Sequence, residues 1–267
     1  MEYSNKDHYL DKETGLLKNK LGLSDKKSLE NYETECTRNR SYQLNEKPID
    51  GNFDLDHLCA IHRHLFGDVY EWAGEIRDLD IAKNNSFFAH HAYIHSYAKD
   101  IFGKLAKENC LAGLGAQAFS ERAAHYLSEI NALHPFREGN GRTQREFINH
   151  LAYKNGYFIE WSGMSREAML AASIESFHKD DNSLLAKLIG TNLKDLESVR
   201  SETKQRAVAG DDTQGQADES QQFNQKRERG NPGVDNLQPQ PEKTRADEYQ
   251  EKMKRHRGQR RTRTPKR

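Results

Sequence analysis

Apolar residues recur at intervals of three and four along much of the chain, a spacing that predicts amphipathic helices. The clearest stripe runs through residues 116–133. Pro135 disfavours helical geometry at the residue before it, so this helix should end at His134. Gly156 is predicted to terminate the next helix as its C′ residue. The predicted helices cover residues 54–66, 91–108, 116–133, 142–155, 165–177 and 182–189.

Two segments lack helical spacing. Residues 76–81 and 86–89, joined by the turn residues Asn84 and Asn85, predict a small β-hairpin. Residues 157–161 predict a short extended link. The polar segment 1–50 predicts a short element over 6–19 and a helix over 25–44 with Ser24 as its N-cap. This flank either covers one side of the core or contacts another chain.

Composition divides the 267 residues into three parts. Residues 1–50 form an N-terminal helical flank, 51–196 a core domain, and 197–267 a disordered linker with a basic tail. Gly, Gln, Asp, Ser and Pro dominate residues 208–241, which is typical of disorder. A polar helix is predicted over 242–255. The mean hydropathy of −1.02 fits one domain plus a disordered part better than two full domains.

Charge is distributed unevenly although the net charge is zero. From Arg200 onward there are 17 Lys and Arg against 11 Asp and Glu, and the last sixteen residues hold nine Lys and Arg and no acid. This tail is a solvated segment, a nucleic-acid contact through phosphate neutralisation, or an export signal.

Three cysteines without a Cys-x-x-Cys pattern indicate neither a disulfide framework nor a zinc knuckle. They fit a reducing compartment. No leader-like segment and no run of 18 apolar residues is present, so we expect a cytoplasmic protein. His91 and His95 have a metal-compatible spacing. No nearby carboxylate in sequence completes a ligand set, so a plain helix surface is expected there.

Residues 134–145 read His-Pro-Phe-Arg-Glu-Gly-Asn-Gly-Arg-Thr-Gln-Arg. His134 is a candidate general base because imidazole titrates near neutral pH. Gly139, Asn140 and Gly141 can turn several backbone N–H groups toward one point. Such a nest followed by a helix N-terminus favours an anion.

Arg142 and Arg145 lie three apart and share a helix face. Two cations at the positive end of a helix dipole are unfavourable, and a polyanionic ligand would resolve that conflict. Glu138 is a candidate Mg²⁺ ligand, since a carboxylate beside phosphates usually serves a metal. Each residue alone has a commoner structural explanation, but the combination indicates nucleotide chemistry.

The segment resembles the Fic family motif His-Pro-Phe-x-(Asp/Glu)-Gly-Asn-Gly-Arg-x-x-Arg at every specified position. The segment Trp72-Ala73-Gly74 with Arg77 is also similar to a family element, and the resemblance covers about residues 50–190. It implies an all-α Fic fold, a helical bundle with a small β-hairpin flap beside the active site. The flap would register a target peptide by strand addition. Phe87 and Phe88 would then contact target or adenine, unless one of them anchors the hairpin.

The resemblance implies transfer of AMP from ATP to a Ser, Thr or Tyr hydroxyl of a target protein. His134 would be the general base and Glu138 the Mg²⁺ ligand. Phe136 would pin the loop to the core, and Arg137 would need no role. The remaining implied contacts are to the phosphates of ATP: Gly139, Asn140 and Gly141 on the α-phosphate, Arg142 and Arg145 on the β- and γ-phosphates.

Fic proteins are commonly restrained by a helix with the pattern (Ser/Thr)-x-x-x-Glu-(Gly/Asn), whose Glu pairs with the second motif arginine, here Arg145. Only Ser198–Glu202 has this spacing, and Thr203 follows instead of Gly or Asn. A separate small antitoxin supplying the Glu is therefore favoured over an unrecognised internal helix.

Three rival hypotheses remain. The same fold could use another nucleotide or a phosphocholine donor. The protein could act on nucleic acid through its basic tail, or it could be a purely structural interaction protein. The basic C-terminus also resembles signals of type IV secretion systems, which would make the chain a host-directed effector.

Overall fold

The computed structural model describes residues 7–83, 86–198 and 201, and these residues are mostly helical, as predicted. None of the described helices combines the length and the apolar character that crossing a membrane requires. The predictions for residues 208–241, 242–255 and the basic tail lie outside the described residues. The helices are α1 Lys26–Glu46, α2 Leu55–Phe66, α3 Ile94–Lys107, α4 Ala116–Leu133, α5 Asn140–Lys154, α6 Arg166–Lys179 and α7 Ser183–Thr191.

Helix α4 lies at the centre and packs against α3, α5, α6 and α7, while α5 also packs against α2. The predicted stripe of α4 faces this core, and each large apolar side chain buried there contributes about 1.5–3 kcal/mol to folding. Fully or nearly fully buried on α4 are Phe119, Ala123, Tyr126, Leu127, Ile130 and Leu133.

Two helices begin at residues other than those that the sequence predicted. The N-cap of α1 is Asp25 instead of Ser24, because the Asp25 carboxylate accepts a 2.8 Å hydrogen bond from the Ser28 amide. Helix α5 begins at Asn140, two residues earlier than predicted. The predicted C′ glycine of α5 is confirmed, since Gly156 has a φ of 79°.

The strands are shorter than predicted. The hairpin consists of β1 Ala82–Lys83 and β2 Ser86–Phe87, and its turn at residues 84–85 is outside the described part. Residues 76–81 are not a strand. The predicted extended link contains β3 Tyr157–Ile159, which pairs antiparallel with the unpredicted β4 Leu193–Asp195. Residues 7–19 form turns closed by a bridge between Leu10 and Leu17 instead of a regular element.

Arg77 explains why the segment before the hairpin is not a strand. Its side chain is buried and donates to the carbonyls of His134 at 2.8 Å, Leu79 at 2.6 Å and Ala89 at 2.5 Å. Burial lowers the pKa of this guanidinium to about 10, and Asp80, 3.9 Å away, opposes the shift. One side chain therefore joins the chain before the hairpin, the chain after it, and the loop that follows α4.

We predict that Arg77→Lys lowers the free energy of unfolding by about 2 kcal/mol or more, because one ammonium cannot reach three separated carbonyls and buried acceptors are left unpaired. Urea unfolding measures the change. The exposed Arg63 provides the matched control, since Arg63→Lys should stay within about 0.5 kcal/mol of the wild type. Equal stability of the two variants would contradict the role given to Arg77.

Candidate active site

The loop after α4 begins with His134 in the left-handed conformation, at φ 45° and ψ 60°. Its backbone N–H still donates to the Ile130 carbonyl at 3.0 Å. The helix therefore ends where Pro135 predicted. A non-glycine residue in this conformation carries a conformational cost that the surrounding contacts must offset.

The ring of His134 has a defined tautomer. Its Nδ1 lies 3.0 Å from the Asn131 carbonyl oxygen. A carbonyl only accepts, so Nδ1 carries the proton and Nε2 keeps its lone pair. The imidazole stacks on the ring of Phe88, with centroids 3.6 Å apart and planes 15° from parallel. The nitrogen able to accept a proton is thus held in one orientation.

The two flap phenylalanines have different surroundings. Phe88 is 8% exposed and packs between His134 and the edge of Phe177, whose ring centroid is 5.8 Å away. Phe87 is 64% exposed. Phe88 therefore anchors the hairpin and supports the imidazole, while Phe87 is left open to solvent.

The Asn140 side chain closes the loop on itself. Its Oδ1 accepts from the Phe136 amide at 2.9 Å, and its Nδ2 donates to the Phe136 carbonyl at 2.7 Å. Sequence reasoning used only the Asn140 backbone and missed this staple. Phe136 is buried, as expected, and stacks on the His62 ring at 3.9 Å.

Gly139 is required by space as well as by its φ of 80°. A Cβ there would lie 2.2 Å from Cζ of Phe66. Gly141 is helical, and a Cβ there would meet only Nη1 of Arg145, at 3.6 Å. No side chain caps the N-terminus of α5, so its first amides stay available to an anion.

Glu138 lies at the lip of this N-terminus. Its Oε1 accepts from the Gly139 amide at 2.9 Å, and its side chain is 34% exposed. Mg²⁺ is commonly held by one or two carboxylates together with substrate phosphates. A single accessible carboxylate beside an anion site fits that donor set.

Arg142 is held by α1, which the sequence left as a flank or an interface. Its Nη2 lies 2.5 Å from Oε1 of Glu33, and its Nη1 donates to Oγ1 of Thr37 at 3.2 Å. Glu33 also accepts a hydrogen bond from the Tyr70 hydroxyl. The pKa of Tyr70 is raised, mainly by burial and next by the negative charge of Glu33. The guanidinium carbon of Arg142 sits 4.6 Å from the ring centroid of Phe66. The i, i+4 spacing of Glu33 and Thr37 predicts a shared polar face of α1, but it could not predict that this face contacts Arg142.

Arg145 has no carboxylate within ion-pair distance among the residues described. Burial, followed by repulsion from Arg142, lowers the pKa of its guanidinium. The next residue, Glu146, is buried, has its pKa raised by burial, and accepts a hydrogen bond from Ser41 of α1. The site therefore contains a partly buried cation whose charge no described carboxylate balances by direct contact.

The interpretation that Arg137 needs no role was wrong. Its side chain is buried and binds the equally buried Asp7, with Nη2 at 2.7 Å and Nε at 2.9 Å from Oδ2. The variable position of the motif thus fastens the N-terminal segment to the loop.

His62, a residue of α2, is hydrogen-bonded to the loop. Its Nδ1 accepts from the Gly74 amide at 2.7 Å, so its Nε2–H donates to the Glu138 carbonyl at 3.0 Å. Burial lowers the pKa of His62 to about 3, so this ring stays neutral near pH 7. His62 lies outside the motif, on α2, so the motif could not predict this contact.

Comparison with known proteins gives one family. The Fic/DOC family model matches residues 52–152. The protein adenylyltransferase VbhT of Bartonella schoenbuchensis is 51% identical over 71% of this chain and 40% of its own length. This chain therefore spans less than half of that relative. The probable protein adenylyltransferase Fic of Salmonella typhimurium is 38% identical over 63% of this chain and 83% of its own length.

Solved structures give the same fold. The BepC protein of Bartonella tribocorum, a VirB-translocated effector crystallised with bound AMPPNP, superimposes with a TM-score of 0.65 at 29% identity. The match covers 70% of this chain and 96% of that chain.

We predict that acid destabilises the fold in part through His62. An unfolded histidine titrates near pH 6.5. Because the pKa of His62 in the folded chain is about 3, the unfolded chain alone binds that proton between these values. The contribution of the neutral His62 to the free energy of unfolding is thus fully present above about pH 6.5. It declines by about 1.4 kcal/mol per pH unit as the pH falls toward 3.

His62→Gln should reduce that slope by about the same amount, in urea unfolding followed from about pH 6 to about pH 4. The exposed His95 supplies the control, and His95→Gln should leave the slope unchanged. An unaltered slope in His62→Gln would mean that His62 is not held neutral in the folded chain.

Proposed function

The chain belongs to the Fic/DOC family, and we propose on that basis that it is a protein adenylyltransferase that moves AMP from ATP to a hydroxyl group of another protein. The observation that carries the proposal is that His134, oriented through Nδ1, is followed within twelve residues by the uncapped N-terminus of α5 and two arginines on that helix. The names of the two relatives and the AMPPNP bound to BepC support the same chemistry.

His134 acts as the general base. Its Nε2 takes the proton of the target Ser, Thr or Tyr hydroxyl, because Nδ1 is already committed to the Asn131 carbonyl. The oxygen forms a bond to the α-phosphorus as the bond to the β-phosphate oxygen breaks. AMP stays on the target and pyrophosphate leaves.

The first amides of α5 stabilise the charge that builds on the α-phosphate, and they need no reorganisation because Asn140 and Gly139 fix the loop. Arg145 takes the β- and γ-phosphates, which removes its unbalanced charge. Arg142 reaches the phosphates while it shares its guanidinium with Glu33.

Glu138 would hold Mg²⁺ through its exposed carboxylate. The ion would neutralise charge on the phosphates and orient the leaving group. The backbone carbonyl of Glu138, fixed by His62, keeps this carboxylate at the lip of the loop.

Phe87 is the flap residue that contacts the target, because its ring is exposed. Phe88 instead orients the base.

A small antitoxin chain fits the surroundings of Arg145. Glu33 of α1 pairs with Arg142 and leaves Arg145 without a carboxylate partner in the described part of the chain. A Glu from a second chain would complete that pair and compete with the phosphates. The weak internal pattern 198–202 lies mostly outside the described residues.

Two alternatives concern the donor molecule and the basic tail. Two arginines beside an amide cluster favour a triphosphate over phosphocholine, but they do not select the base of the nucleotide. Nucleic-acid binding and export both depend on the basic tail, which lies outside the described residues. These two hypotheses, like the cytoplasmic location, stay predictions.

We predict that His134→Ala abolishes transfer of label from α-labelled ATP to proteins of a cell lysate, while the affinity for Mg-ATP changes less than threefold. The phosphate contacts do not involve the imidazole, so only the chemical step should fail. Calorimetric titration with Mg-ATP provides the binding value. Activity of His134→Ala at the wild-type rate would refute the assignment of the base.

We predict that substitutions of the two arginines differ in their effects on Mg-ATP affinity and on the free energy of unfolding. Arg145→Ala should weaken Mg-ATP binding at least tenfold, which is about 1.4 kcal/mol, and leave urea stability nearly unchanged. Arg142→Ala should lower the free energy of unfolding as well, because Glu33, which also accepts from the Tyr70 hydroxyl, loses its cation. Wild-type ATP affinity in Arg145→Ala would contradict the phosphate role.

A further inference from the structure

Three potential metal ligands meet at the base of the β1–β2 hairpin, apart from the residues assigned to nucleotide chemistry. Asp80 precedes β1, and His90 and His91 follow β2. Nε2 of His90 lies 3.1 Å from Oδ2 of Asp80, and Nδ1 of His91 lies 3.0 Å from Oδ1. All three ligand atoms fall within 4.8 Å of one another. We propose that this triad binds one divalent cation of the zinc class.

The donor types select the class of metal. Two imidazoles and one carboxylate suit Zn²⁺ and its neighbours, whereas Mg²⁺ and Ca²⁺ prefer oxygen ligands alone. Bonds of about 2.0–2.1 Å in a tetrahedron place ligand atoms about 3.3 Å apart. The observed separations of 3.0 and 3.1 Å are close to that value but end on the two different oxygens of Asp80. Since all three ligand atoms lie within 4.8 Å of one another, side-chain rotation of the exposed residues can bring them to one ion. The side chains are 35–53% exposed, so water can fill the fourth position.

Surrounding contacts hold the carboxylate in place. The His91 amide donates to Oδ1 of Asp80 at 2.8 Å, which ties the two ends of the hairpin together before any ion binds. Arg77 is 3.9 Å from Oδ1, too far for a hydrogen bond, so it leaves the carboxylate free to coordinate. The rings of His90 and His91 stack at 4.5 Å and both reach the same carboxylate.

Metal binding replaces three hydrogen bonds. Two of them join Nε2 of His90 and Nδ1 of His91 to Asp80, and the proton that His91 donates from Nδ1 moves to its Nε2. Nδ1 of His90 accepts from the Ala92 amide at 3.2 Å, so Nε2 carries the ring proton in the neutral side chain. Coordination through Nε2 moves that proton to Nδ1 and releases the Ala92 amide. Ala92 is exposed, and its N–H passes to water. Metal bonds to the same atoms replace the two imidazole–Asp80 hydrogen bonds, and the released Ala92 bond is long and local.

The sequence missed this site because it paired His91 with the wrong partner. His95, four residues on, is exposed on α3 and contributes no ligand. The third ligand is Asp80, eleven residues earlier, and the hairpin alone brings it close. A bound cation would therefore clamp the base of the hairpin, where Ala89 also donates to the Ala132 carbonyl at 3.0 Å.

The test is titration of the full chain, stripped with a chelator, with Zn²⁺ and with Co²⁺ as a spectroscopic substitute. We expect one equivalent at this site, and at least tenfold weaker binding in each of Asp80→Asn, His90→Gln and His91→Gln. His95→Gln is the matched control and should bind like the wild type. Circular dichroism verifies that every variant is folded.

Undetectable binding, or wild-type binding by both His90→Gln and His91→Gln, would overturn the site. A second readout tests the clamp: hydrogen exchange at the amides of Ala82 and Phe87 should slow when Zn²⁺ is added to wild type and to His95→Gln, and not in His91→Gln. Exchange that ignores Zn²⁺ in all three proteins would also overturn the proposal.

Discussion

The buried guanidinium of Arg77 is the contact on which the site depends. It joins Leu79, Ala89 and His134 through their carbonyls, and these residues belong to three separate segments of the chain. The hairpin is only two residues long on each side, too short to be stable alone. Its position relative to the base is therefore set by hydrogen bonds to Arg77 and by the packing of Phe88, not by strand pairing.

A second constraint is that uncharged side chains hold the loop between α4 and α5 in one conformation. His62 is neutral and buried, and it fixes the Glu138 carbonyl and the Gly74 amide in one network. Asn140 fixes Phe136 in the same loop. Polar groups satisfied within a low-dielectric interior hold one geometry, which is what an anion site needs if it is to bind without reorganisation. Among the described residues of the loop and α5, Arg145 carries the charge that no carboxylate balances by direct contact, and a phosphate can pair with it.

Much of the fold could be predicted because helix periodicity is a local signal. Helix α4 has the predicted bounds, and the end of the helix at His134 follows from one proline. The errors fall where a distant contact decides the outcome. Residues 76–81 were predicted as a strand, but the Arg77 side chain takes the Leu79 carbonyl, and the unpredicted β4 pairs with β3. The predicted N-cap of α1 was wrong by one residue, because Ser24 and Asp25 are both favourable N-cap residues.

The site shows the same division. The motif predicted His134, the glycine nest and both arginines as site residues, because all of them lie within the twelve residues 134–145. It could not find Glu33, Asp7 or His62, which reach the loop from other segments. It could not separate Phe87 from Phe88 either, since exposure is a property of the folded hairpin.

The most direct test of the central claim compares ATP labelled at the α-phosphate with ATP labelled at the γ-phosphate, each incubated with the full chain, Mg²⁺ and a cell lysate. A loop that places His134 and the α5 amides at the α-phosphate predicts protein-bound label from α-labelled ATP alone. Protein-bound label from γ-labelled ATP would mean that the terminal phosphate is transferred, and it would contradict the placement of the nucleotide and the roles given to both arginines.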